Sequence, residues 1–114
     1  TSAEAAIRGT FSQVPWLVTL LAVAVGPGLV EEIFCRGFLG RGLCGRYGLG
    51  WGVLLTSVLF AALHLSPSQA FVMTLMGAYL HFVYIASRSI WVPVVLHLLN
   101  NGIATLIILS PDLQ

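Results

Sequence analysis

Two adjacent glutamates, Glu31 and Glu32, stand at the end of an apolar run with Arg36 four residues beyond, in a chain that has four acidic residues in all. Half the negative charge is thus placed at one point. A carboxylate near hydrocarbon is costly unless paired, so an intramembrane charge is a functional-site candidate by default. On a helix Glu32 and Arg36 share a face, while Glu31 points about 100° away from Glu32. Arg36 can hold Glu32, and Glu31 then becomes the candidate general base. A purely structural ion pair that stabilises a bundle explains the same three residues equally well.

Two further spacings add polar groups inside apolar runs: Phe60 with His64, and His97 with Asn101, each four apart and so on one helical face. Phe60 can wall a site and orient the His64 imidazole. His97 and Asn101 offer two donors that can aim at one point, as an oxyanion hole requires. Either histidine alone reads as a packing residue hydrogen-bonded to a neighbouring helix; together with Glu31 they read as a site. His81 has no partner at helical spacing and is expected to make an interhelical hydrogen bond or to sit at the interface with Tyr79 and Tyr84. Zinc is a minority alternative, since Glu and His suit an open hydrolytic site, but there is no His-Glu-x-x-His pair. A Cys35-His97-Asn101 nucleophile site is a further option, without any sign that the thiol is activated.

The elements that must position these groups are apolar helices. Hydrophobic residues make up 58% of the chain and charged residues 8%, with a mean hydropathy of +0.96, against about 25% charge in a soluble domain. No formal charge occurs in residues 9–30, 47–87 or 89–111, and each gap holds at least one stretch near the ~20 residues that span hydrocarbon. These features predict an all-α, polytopic transmembrane bundle of about four to five helices, forming one domain over residues 1–114 with a polar N-terminal lead at 1–13. Expected helices cover about 14–30, 29–44, 50–65, 69–86 and 90–109. Pro27, between Gly26 and Gly28, is expected to kink or break the chain just before the glutamates, and Pro93 is tolerated in the first turns of the last helix. The 48–52 glycine run fits a small-xxx-small contact only weakly.

Five arginines, no lysine and a net charge of +1 leave no phosphate-tracking surface, so nucleic acid is excluded as a partner. Two cysteines, Cys35 and Cys44, suggest packing and no disulfide framework. If 29–44 does not fully cross, Arg41, Arg46 and Arg88 share one side and Arg8 the other, which makes the arginine-rich side cytoplasmic. The short, glycine-rich, lysine-free composition points to a bacterial inner membrane. A chain that starts with Thr1 is expected to be part of a longer protein carrying further membrane helices.

The strings Glu31-Glu32-x-x-x-Arg36, Phe60-x-x-x-His64 and His97-x-x-x-Asn101, in this order, resemble the three signature motifs of the CPBP family. This group of intramembrane proteases contains the CAAX prenyl endopeptidases and the bacteriocin-processing, or ABI, proteins. The resemblance covers about residues 26–102. It implies an intramembrane endopeptidase in which Glu31 activates a water with His64 as partner, Glu32 and Arg36 position the site, and His97 and Asn101 stabilise the oxyanion. It further implies a glutamate-dependent mechanism without a catalytic metal or other cofactor, and a peptide substrate carrying a prenylated CAAX tail or a leader. Cys35 departs from the bulky residue usual before the arginine, and the chain is shorter than most members. The competing reading is a non-proteolytic membrane protein that uses the Glu/His/Arg cluster to bind a ligand, relay protons or scaffold a partner.

Overall fold

The computed structural model describes residues 1–110, so the last four positions of the expected domain lie outside it. The described residues form helices and no strands: α1 (Ser2–Phe11), α2 (Trp16–Tyr47), α3 (Leu49–Leu63), a 3₁₀ turn (Pro67–Gln69), α4 (Ala70–Ser87) and α5 (Trp91–Leu109). The expectation of an all-helical bundle of four to five helices holds.

Residues 1–13, expected as a polar lead, are mostly helix α1. The Thr1 hydroxyl accepts from the Glu4 amide at 3.2 Å and the Glu4 carboxylate reaches back to the Thr1 amine, which closes a capping box. Pro15 then caps α2, where its fixed φ and missing N–H cost nothing.

The clearest correction concerns Pro27. Two helices were expected at 14–30 and 29–44; instead one helix of 32 residues runs through. A proline crowds the carbonyl four residues back, and that residue, Val23, lies in a π-helical stretch, Leu21–Val25. The Gly26 amide there bonds the Leu21 carbonyl five residues back. The wider turn absorbs the proline without a break. A second π stretch, Ile33–Gly40, follows the two glutamates and carries Arg36.

At Gly48 (φ +85°) the chain reverses through a conformation that only glycine adopts cheaply. Helix α3 then turns straight back, and a Cβ on Gly52 would fall 2.4 Å from the Cys44 Cα. The glycine run that looked weak as a contact motif is where two backbones touch. Helix α3 ends at His64, with Leu65 in the left-handed region (φ 51°). Pro93 lies buried in the first turn of α5, as expected.

Burial runs opposite to a soluble fold. Glu32, Arg36, Thr56, Ser57, His81, His97 and Thr105 are buried, whereas Trp16, Val30, Phe38, Trp51, Phe71, Phe82 and Trp91 face outward. Helices α2, α4 and α5 are long and apolar enough to cross a membrane, and α3 is a shorter apolar helix. Because α2 runs as one helix, α3 turns back along it and α4 returns, Arg41, Arg46 and Arg88 fall at one end of the bundle.

Candidate active site

The site is built on α2 where its two π stretches flank Glu31 and Glu32. Glycine at 28 lets α5 come close: a Cβ there would meet the Leu98 side chain at 2.8 Å and lie 3.7 Å from Asn101 Nδ2. With Asn101 seated beside Gly28, the antiparallel run of α5 carries His97 one turn on, alongside the glutamates. Its ring lies between them. His97 Nδ1 is 2.6 Å from Glu32 Oε1 and Nε2 is 3.3 Å from Glu31 Oε2.

Glu32 is fully buried and its Oε1 also accepts from Arg36 Nη1 at 3.2 Å, the i,i+4 pair read from sequence. A carboxylate held by a guanidinium can only accept, so His97 Nδ1 carries the proton on that side. The division of labour expected within the pair is visible in exposure. The Glu32 side chain is 0% exposed and that of Glu31 26%, so the carboxylate free of Arg36 is the one that solvent or substrate can reach.

Phe60 joins the remaining groups. Its ring centroid lies 4.9 Å from that of His64, 5.7 Å from that of His97 and 4.8 Å from the Arg36 guanidinium carbon. The last contact presents a cation to the electron-rich face of the ring. His64, at the exposed C-terminal end of α3, has Nδ1 2.9 Å from the Phe60 carbonyl. A carbonyl accepts, so that nitrogen donates and Nε2 keeps a free lone pair. Glu31, Glu32, Arg36, Phe60, His64, His97 and Asn101 are thus gathered into one region. Asn100, chemically indistinguishable from Asn101 in sequence, is exposed where Asn101 is half-buried.

The other candidates adjoin this region without joining its polar groups. Cys35 is fully buried in an apolar cluster with Phe60 and Leu80, as a packing residue would be, and both cysteines are free. His81 is buried and makes the interhelical contact expected of it, with Nε2 3.9 Å from Cys44 Sγ. Among the described residues, no group of three or more His, Cys, Asp or Glu side chains is arranged to hold a metal. A cavity of about 650 Å³ lies between α1 and the end of α5, lined by Thr1, Glu4, Arg8, Ser12 and Ile107 among others. None of the motif residues lines it.

Sequence reasoning missed one participant. Arg36 Nη2 donates to the main-chain carbonyl of Gly77 on α4. A backbone acceptor leaves no side-chain signature; an isolated glycine within an apolar helix was the one available sign.

The model of the family described as "Type II CAAX prenyl endopeptidase Rce1-like" matches residues 13–103. The chain is also similar to the Bacillus subtilis protein named "Putative membrane peptidase YdiL", with 29% identity over 106 residues, 93% of this chain and 43% of that protein. The chain therefore spans less than half the length of that curated relative. No solved structure matches it.

Proposed function

Because the chain belongs to the Rce1-like family of type II CAAX prenyl endopeptidases, we propose that it carries the catalytic core of an intramembrane endopeptidase. In this reading Glu31 takes a proton from a water that His64 Nε2 helps to hold, and the resulting hydroxide attacks the scissile carbonyl. The developing oxyanion is met by the Asn101 amide and by the Nε2–H of His97 in the doubly protonated form of the ring, whose Nδ1–H stays on Glu32. Glu31 then returns the proton to the leaving amine. Glu32 orients the His97 ring through its Nδ1–H, and Arg36 holds Glu32.

The observation that carries the reading is the insertion of the His97 ring between Glu31 and Glu32. A merely structural ion pair needs only Glu32 and Arg36. The second carboxylate, partly open and facing an imidazole, is surplus to packing and suits proton transfer. In the resting arrangement Glu31 rests against His97; arrival of substrate and water exchanges that contact for the reacting atoms, since catalytic hydrogen bonds commonly tighten only in the complex.

The substrate class we assign is a peptide with a prenylated CAAX tail or a leader segment, reaching the site from one face of the membrane. The arginine-rich end carrying Arg41, Arg46 and Arg88 is assigned to the cytoplasm of a bacterial inner membrane.

The test is cleavage of prenylated and unmodified peptides in proteoliposomes by the wild type and Glu31→Gln, each with and without a strong zinc chelator. We expect activity that survives chelation and falls by at least about 10³-fold in the variant, as removal of a base can give, with the melting temperature retained. Loss on chelation would replace the water-and-glutamate mechanism by a metal-assisted one. Cleavage of no peptide by the wild type would shift the cluster to ligand binding, proton relay or scaffolding.

A further inference from the structure

Helix α4 carries none of the motif residues, yet it touches the site twice at one position. The Gly77 carbonyl accepts from Arg36 Nη2. A helix carbonyl has a second lone pair beyond its own ladder, and here a buried guanidinium takes it. At the same residue the missing side chain leaves room for Phe60: a Cβ on Gly77 would stand 3.0 Å from Phe60 Cδ1, 3.4 Å from Phe60 Cγ and 3.2 Å from the Ser57 Cα. Phe60 in turn lies against Arg36, His64 and His97.

The register of α4 on α2 is set one turn further along. The His81 ring seats on Gly40, where a Cβ would come 2.7 Å from His81 Cε1. Gly77 and His81 are i,i+4 on α4, and Arg36 and Gly40 are i,i+4 on α2. The same pairing that seats His81 on Gly40 therefore brings the Gly77 carbonyl to Arg36.

We infer that Gly77 is a positioning residue for the reaction. It fixes the far end of the Arg36 guanidinium through its carbonyl and the Phe60 ring through its missing side chain, and so sets where Glu32 and His97 stand. The inference rests on the proteolytic reading above. Arg36 has three anchors: Glu32 Oε1, the Phe60 ring face and the Gly77 carbonyl. A methyl group at 77 displaces Phe60 toward the groups it orders, and misplacement of catalytic groups on the order of 1 Å can cost up to about 10²-fold in rate.

The experiment compares Gly77→Ala with Gly50→Ala, a position where an added Cβ meets nothing within 4 Å. Both are read by kcat and KM on a cleaved peptide and by the ring ¹⁵N signals of His97 in histidine-labelled protein. We expect Gly77→Ala to lower kcat by at least about tenfold, to leave KM within about twofold and to move the His97 signals, while Gly50→Ala changes none of them. Wild-type kcat with unmoved His97 signals in Gly77→Ala would overturn the proposal. So would a loss of activity that only tracks the folded fraction. If Gly77→Ala fails to fold, Phe60→Leu is added to it and compared with Phe60→Leu alone: recovery of fold with His97 signals displaced from those of Phe60→Leu alone supports the assignment, and failure to recover counts against it, because the room taken is then not that of Phe60. A wild type that cleaves no peptide defeats the proteolytic reading, whereas the His97 signals still report whether Gly77 positions the cluster.

Discussion

Helix α2 is polar on two sides, and the sides differ in what can reach them. Toward α5 it offers Glu31 and Glu32, with His97 of α5 between them, Glu31 partly open and His64 exposed at the nearby end of α3. Toward α4 it offers Arg36, Gly40 and Cys44, against the Gly77 carbonyl and a buried His81. The first seam has a surplus carboxylate and an approach from outside. In the second, Arg36 is spent on fixed partners, while Arg36 Nε and His81 Nδ1 are buried without a hydrogen-bond partner among the described residues. On the proposed function, chemistry is assigned to the open seam and bracing to the closed one, with Arg36 as the residue that joins them.

The largest effect should come from cutting that joint. Arg36→Met removes the one cation beside Glu32 and leaves a fully buried carboxylate with only His97. Breaking a buried pair from one side costs about 3–5 kcal/mol, so the variant should melt far below the wild type in detergent, and Glu32→Gln added to it should recover part of the loss. Equal stability in Arg36→Met would mean that the seams are independent.

Next in size is Asn101→Ala, on the open seam. Its amide lies beside Gly28 and is only half-buried, so stability should largely hold while kcat falls by about 10²–10³-fold, the usual cost of one oxyanion donor. Single-turnover cleavage measures it directly. A fall in stability with unchanged kcat would move Asn101 from the chemistry to the brace.

Much of the open seam was legible in the chain. The i,i+4 spacing of Glu32 with Arg36 and of His97 with Asn101 fixed shared faces, and the helices from Leu49 onward begin and end within about two residues of their expected bounds. What escaped was tertiary or backbone in origin. That His97 meets both glutamates depends on how closely α5 approaches Gly28, which no local pattern encodes. The fusion of two expected helices into α2 turns on a π stretch that relieves Pro27, and propensity rules give such stretches no signature. The Gly77 acceptor belongs to the main chain. Helix α1 is a different failure, because Thr1 and Glu4 display the capping-box spacing openly and the polar composition of 1–13 outweighed it.

The smallest effect should follow from His81→Leu, and it discriminates most sharply between the two seams. His81 is almost fully buried with one ring nitrogen unpartnered among the described residues, and the other meets only a thiol at 3.9 Å. Burying an unsatisfied nitrogen costs about 1–3 kcal/mol, and an apolar replacement of similar shape is often neutral or better. Leucine keeps a branched group over Gly40, so melting should stay within about 1 kcal/mol of the wild type and peptide cleavage should be unchanged. A bracing seam tolerates this loss of polarity because it needs only volume and register. If His81→Leu instead abolished cleavage while the fold persisted, the closed seam would be setting the geometry of the open one through more than volume and register, and the division between bracing and chemistry would fail.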